Sequence, residues 1–371
     1  MKILSPENLE IRISEFLENL RKKNKFEYFP SVMGVTKEGK RLNLGFSCYA
    51  LKCSYILNLL PDDDLKAKNW SQYINNYQTN TENLPNNSYV DFDYLNSFRN
   101  RSGINFIKDT IKDISTSLNI KKFPNINERI ETYIRAESKQ AISTLYEVKS
   151  ETKLKYLDFP KTKIEIDNFL ENLNWSTPWS SGAQFSSLCV FAKTQLEKKQ
   201  FKEIQSLLIK FIEKLANPNT GAYYLGSEPS QQEIINGSMK VITGLDWINE
   251  PIHYPEKLID LALKVNPDSE GCDLVDIVYV LFKCSEQTNY RKKDIISYLN
   301  NLIDEIYFHY KEEEGGFSYF INKSQTHYYG VQITSGLNVA DIHGTILLTW
   351  ALSMIYNIQE EESVNWKILK P

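Results

Sequence analysis

The chain of 371 residues carries 43 Lys and Arg against 47 Asp and Glu, a net charge of −4, and 42% of it is apolar. The near balance excludes a basic surface built to neutralise a nucleic-acid backbone, and the apolar share excludes a disordered or fibrous chain. No run reaches the roughly 18 apolar residues that span a bilayer, and the opening MKILSPENLEIRISEF has no apolar stretch ahead of a cleavage site.

Ser5-Pro6-Glu7 opens the first helix, with serine as cap and proline in the first turn. Leu9, Ile13, Phe16, Leu17 and Leu20 then recur at the spacing of one buried face, up to about Lys23. After a loop containing Phe29-Pro30 and Gly34, a more apolar helix begins at Gly45 and stops at Pro61. Asp62, Asp63 and Asp64 open the next helix, where acidic side chains complement the dipole. An aspartate-rich metal site for a diphosphate is the sharper reading, and it lacks its further carboxylate at helical spacing. The stretch 75–100, rich in Asn, Thr and Pro, reads as a long loop, and helices follow at 103–118 and 127–148. The segment 149–161 is a candidate linker between two halves of one domain covering 1–371. Four hairpins complete the chain: 162–173 with 182–195, 198–216 with 231–245, 255–265 with 272–287, and 290–313 with 342–356. The charged tail, 359–371, is expected at the periphery. Five cysteines, widely spaced and odd in number, read as reduced thiols, which points to the cytoplasm.

One unit recurs along this path: a polar amphipathic helix, a loop with glycine and aromatics, then a more apolar helix. The apolar members begin near Gly45, Ile130, Gly182, Glu233, Cys272 and Ile342. A period of roughly 40–50 residues with one helical hairpin per repeat is the mark of a solenoid or a closed ring. Six hairpins predict an all-α fold, an (α/α)6 toroid of six inner and six outer helices. Its inner helices run parallel, with their N-termini at one rim.

The loops carry a shared turn. Asn217-Pro218-Asn219-Thr220-Gly221-Ala222-Tyr223-Tyr224 and Glu313-Glu314-Gly315-Gly316-Phe317-Ser318-Tyr319 both place glycine and then an aromatic after a polar helix. Gln78 through Tyr89-Val90-Asp91 is a weaker third copy. Glycine supplies the left-handed turn that ends a helix. On these turns the chain resembles the α/α-toroid superfamily of terpenoid cyclases and protein prenyltransferase β subunits, whose repeats carry a Gly-Gly-Phe or Gly-x-Trp turn. The resemblance covers most of the chain as architecture and only its C-terminal part as motif, and a shared fold transfers function weakly.

Convergence of the inner N-termini would gather Cys48, Arg135, Glu137, Trp179, Gln184, Asn236, Lys240, Cys272, Asp273, Asp276, Asp341 and His343 at one mouth. Polar groups on apolar helices need partners or a wet cavity, although Asp273 and Asp341 could serve only as helix caps. Glu270-Gly271-Cys272 with His343 resembles the zinc set of prenyltransferase β subunits. That resemblance implies zinc held by Cys272, His343 and Glu270, with a fourth position for a thiol or water. Glu270 stands where aspartate belongs in that family, and the residues after Cys272 do not match it. A terpenoid cyclase of the protonating class needs an aspartic acid in an Asp-x-Asp-Asp run. Asp62-Asp63-Asp64 and Asp91-Phe92-Asp93 are the approximations, and neither lies on an inner helix.

Carbohydrate chemistry would use carboxylates across a cleft, for which Glu137, Asp276 and Asp341 are available. A lyase or epimerase would draw on Arg135, Asn236, Lys240, Tyr329 and His343, with Trp175 and Trp179 stacking on sugar rings. The candidate catalytic groups are therefore Asp341, His343, Glu137 and Asp276. Arg135, Trp179, Gln184, Asn236, Lys240 and Tyr329 are candidates for binding substrate. Three functions stay open: a cyclase- or prenyltransferase-like enzyme holding an isoprenoid in the central cavity, a carbohydrate-active lyase, hydrolase or epimerase, and a non-catalytic binding scaffold. Phosphate-cradling glycine loops, nucleophile-elbow serines and His-Glu-x-x-His helices are missing from the sequence, which disfavours nucleotide hydrolysis, α/β-hydrolase chemistry and metalloproteolysis.

Overall fold

The computed structural model describes residues 3–60, 65–99, 126–361 and 364–371. The Asp62-Asp63-Asp64 run and the helix expected at 103–118 lie outside them. Among the described residues there are thirteen helices and three antiparallel ladders of two residues per strand, an all-α protein.

In chain order the helices are α1 (Pro6–Leu20), α2 (Leu44–Ile56), α3 (Leu65–Asn75), α4 (Phe92–Arg99), α5 (Ile126–Glu147), α6 (Lys163–Glu171) and α7 (Pro178–Gln195). Then come α8 (Lys198–Glu213), α9 (Gln231–Ile248), α10 (Pro255–Ala262), α11 (Gly271–Ser285), α12 (Lys292–Phe308) and α13 (Ile342–Ile358). Their starts follow local chemistry. The Ser5 hydroxyl accepts from the Asn8 amide at α1, Thr162 and Glu165 form a capping box at α6, and proline fills the first turn of α1, α7 and α10. The polar helices bury one stripe each, as α8 does through Phe201, Ile204, Leu208 and Ile212. Among the apolar ones, α11 is buried continuously from Asp273 to Phe282.

Each apolar helix packs on the next in chain order, α2 on α5, α5 on α7, α7 on α9, α9 on α11 and α11 on α13, and α13 packs on α2. Paired residues ascend together along neighbours. Asn236, Lys240 and Asp246 of α9 meet Asp273, Asp276 and Lys283 of α11. Gly45 and Lys52 of α2 meet Gln140 and Ser143 of α5. These neighbours therefore run in the same direction. The α7–α9 contact is the tightest: a Cβ on Gly237 would lie 2.5 Å from Cβ of Pro178, so only glycine permits the approach.

The turns after the polar helices are small ladders. Gly221 (φ +75°) and Gly315 (φ +80°) take the left-handed conformation. Ala216 bridges Tyr223 after α8, and Tyr310 pairs with Phe317 after α12. Gln78 pairs with Tyr89 after α3, and a fourth copy joins Arg21 to Tyr28 after α1.

Three expectations change. The stretch 75–100 is not one loop, because it holds the 78–79/88–89 ladder and α4. The buried Asp91 carboxylate organises it, accepting from the Asn43 and Leu44 amides at 2.8 and 3.2 Å and from the Asp93 amide at 3.0 Å. The segment 149–161 is laced to both sides, since Leu154 exchanges hydrogen bonds with Gln78 and the Tyr156 amide donates to Gln195. The end of the tail is not peripheral. It crosses the C-terminal ends of three apolar helices, where the Lys367 amide donates to Ile56, the Lys370 amide to Glu147, and the Trp247 indole to the Pro371 carbonyl. Among the described residues no helix is long and apolar enough to cross a membrane.

Candidate functional site

The hairpin pairing His327 with Gln332 and Tyr328 with Val331 turns through Tyr329 and Gly330, both left-handed (φ 44° and 83°). Two left-handed residues define the turn that suits a two-residue hairpin, and asparagine or glycine is the usual occupant. A tyrosine held there is strained, a feature that gathers at functional sites. The hairpin delivers Tyr328 to α5, where its hydroxyl donates to Glu137 Oε2 at 2.5 Å. Gly45 makes room for this bond, since a Cβ there would lie 2.2 Å from the Tyr328 hydroxyl. Glu137 is 1% exposed and its Oε1 is without a hydrogen-bond partner. Burial pushes its carboxyl up to about 8, against the opposing effect of Tyr328. At neutral pH it is a carboxylic acid holding a proton.

A second group forms between α9 and α11. Gln232 donates to Asn236, which donates to Asp273, each at 2.7 Å. One turn deeper, Lys240 lies 3.5 Å from Asp276, whose other oxygen is buried and unpartnered. Burial pushes both Asp273 and Asp276 up to about 6. His343, on the first turn of α13, stacks on Tyr49 at 4.7 Å and on Tyr319 at 5.2 Å. Burial, with Lys240 adding to it, pushes the imidazole down to about 3, so it is neutral, and its Nδ1 has no partner.

Aromatic contacts link the first group to His343: Tyr328, bonded to Glu137, meets Tyr49 edge-on at 6.4 Å, and Tyr49 stacks on His343. Tyr49, Lys139, Lys240, Cys272 and His343 each keep part of their surface accessible, and Tyr329 keeps 42%. Yet burial dominates the ionisation of Tyr49, Lys139, Cys272, Tyr329 and His343.

The other expected residues are placed differently. Asp341 is spent on structure: Oδ2 accepts from the Tyr319 and Gln325 amides at 2.7 and 3.0 Å, and Oδ1 from the Gly344 amide at 2.8 Å. It caps α13 and anchors the preceding loop, and burial raises it to about 6 despite those donors. Arg135 donates to Gln184, lies over the Phe169 ring, and faces a separate cleft of about 640 Å³ with Arg99, Glu131 and Asp158. Trp179 is 41% exposed at the start of α7, where its amide donates to Glu233. Cys48 is buried, and desolvation pushes its thiol up to about 12.

The zinc set does not assemble. Among the described residues no three His, Cys, Asp or Glu side chains are gathered so as to hold a metal ion. Burial pushes the Cys272 thiol up to about 12, and the Tyr319 hydroxyl donates to Glu270 at 3.5 Å. No family model, no curated protein and no solved structure matches this chain.

Sequence reasoning missed Tyr49, Lys52, Lys139, Tyr319 and Tyr328. A signal existed for the two lysines. Each is a charge inside an otherwise apolar or small-residue helix face, and Lys52 is 8% exposed with its amine donating to Ser143 at 3.0 Å.

Proposed function

We propose that the chain is an (α/α)6 toroid enzyme that carries out acid–base chemistry on a small, negatively charged organic substrate held among the apolar helices. The toroid reading is supported by the cyclic order of helix contacts and their parallel register. One arrangement supports the chemical reading: the protonated acid Glu137 is joined through Tyr328 and Tyr49 to the neutral imidazole of His343, on which the Lys240 charge also acts. Groups whose ionisation is pushed away from ordinary values at one site are the material of general acid and general base catalysis. Lys240 supplies the attraction for a negative charge, and the faces of Tyr49 and Tyr329 supply apolar contact.

Isoprenoid cyclisation is the second reading. It is favoured by the rings of Tyr94, Tyr133, Tyr328 and Tyr329, which crowd one another beside Glu137. An acid that protonates an alkene and aromatic faces that shelter a cation would serve it.

Thermal unfolding against a panel of small carboxylates, inorganic phosphate and a non-hydrolysable farnesyl diphosphate analogue tests both. Saturation at 100 times Kd stabilises by about 2.7 kcal/mol. The first reading expects that gain from a small anion and its loss in Lys240→Met. A gain from the farnesyl analogue alone would favour cyclisation, and no gain from any ligand would remove the enzyme reading.

A further inference from the structure

His309 caps the C-terminal end of α12 and lines a cleft of about 300 Å³ between that helix and the segment leading into α11. The residue is 0% exposed, and all but one of its polar atoms are engaged. Its amide donates to the Ile306 carbonyl at 3.1 Å, and its carbonyl accepts from the Ser318 amide and hydroxyl at 2.9 and 3.2 Å. Nδ1 lies 2.8 Å from the Ser318 carbonyl. A carbonyl can only accept, so Nδ1 carries the proton and Nε2 of the neutral ring is left with a lone pair. That nitrogen is buried and has no hydrogen-bond partner. Burial also pushes the ring below the ordinary histidine range, against the effect of Ser318 and together with that of Lys311.

The rest of the cleft selects what such an atom could receive. Glu305 is its one charged lining residue among those described, and Asn301 adds an uncharged amide. Tyr298 spends its hydroxyl on the Val265 carbonyl at 2.7 Å, so it offers the cleft its ring, beside the apolar Leu274 and Leu302. The last turn of a helix carries negative partial charge as well. An acceptor nitrogen, a carboxylate, a helix C-terminus and an aromatic ring all favour a positive ligand with N–H groups. A metal ion is disfavoured, because among the described residues no three His, Cys, Asp or Glu side chains gather to hold one.

We infer that this cleft binds a primary ammonium, either of a small free amine or of a lysine side chain on a partner, which donates to His309 Nε2 and is neutralised by Glu305. Residues four apart on a helix have Cβ atoms about 6 Å apart, within reach of one ammonium. The cleft shares no residue with the acid–base groups and does not depend on them.

Titration of the full chain with butylammonium, followed by the ¹⁵N signals of the histidine rings, tests this. The chain has four histidines, and assignment through the backbone means that no His309 variant has to fold. The Nε2 signal of His309 is expected to move to saturation with Kd on the order of 1 mM or tighter. Glu305→Gln, at an exposed position, should weaken binding about tenfold. Butyrate, which the acid–base reading would draw to Lys240, should leave the His309 signal in place. Nα-acetyl-lysine methylamide binding more tightly than butylammonium assigns the site to a partner's lysine, and weaker binding assigns it to a free amine. A response that does not saturate, one equally strong in Glu305→Gln, or one that butyrate reproduces at His309 overturns the inference.

Discussion

Replacing Glu137 by glutamine isolates the cost of keeping an acid inside this protein. The glutamine side chain has nearly the same shape, keeps an oxygen to accept from Tyr328, and is neutral at every pH. In the native chain burial raises the carboxyl to about 8, from the 4.5 of an ordinary glutamate. Between those values the unfolded chain has lost the proton and the native chain still binds it. Stability therefore falls as pH rises through this window and levels off above pH 8. The side chain is 1% exposed, so solvent screening does not discount the effect. From pH 5 to pH 8 the expected loss is roughly 3 kcal/mol, on the rule that one unit is worth about 1.4 kcal/mol. Asp276, Asp341 and Lys139 titrate in both proteins and cancel in the difference. Urea unfolding of wild type and Glu137→Gln at pH 5, 6, 7 and 8 gives the test. The stability difference should move by roughly 3 kcal/mol in favour of the variant across the series. If the two curves stay parallel, Glu137 ionises normally and the argument for a resident acid is wrong.

Gly45→Ala should cost about 1–3 kcal/mol in urea unfolding, because its Cβ would displace the Tyr328 hydroxyl from Glu137. Asp341→Ala should cost about 3 kcal/mol or more and speed hydrogen exchange at the Tyr319, Gln325 and Gly344 amides, which lose their shared acceptor. Retained protection there would mean that other groups order the loop. Removing residues 364–371 should lower stability by about 3 kcal/mol and shift Trp247 emission to the red, since Trp247 donates to Pro371 and Lys370 spans Glu147 and Asp246. An unchanged midpoint would make the tail's contacts energetically idle.

The helices were legible because their signals are local. Ser5-Pro6, the Thr162–Glu165 box and the turn glycines Gly221 and Gly315 act within a few residues, and the contrast between striped and wholly apolar helices follows directly from side-chain spacing. What escaped depends on distant partners. The 78–79/88–89 ladder is too short to leave a period, and α4 begins where Asp91 meets amides of residues 43 and 44. The tail reads as a charged end until Ile56, Glu147 and Trp247 are seen beside it.

The candidate site divides along the same line, within single helices. Arg135 and Glu137 are two residues apart, and at 100° per residue that places them on different faces of α5. Arg135 accordingly reaches Gln184 and an outer cleft while Glu137 meets Tyr328. Asp341 and His343 separate in the same way, one capping α13 and the other stacking between Tyr49 and Tyr319. Sequence position tells which end of an apolar helix a polar residue occupies; a second residue on a neighbouring helix tells which way it faces. Lys240 with Asp276 and Lys52 with Ser143 supply that second coordinate, and Lys139 follows from Ser143 by one helical turn. The polar chemistry among the apolar helices is therefore set by pairs across helices, such as Lys240 with Asp276 and Lys52 with Ser143, rather than by position along any one of them.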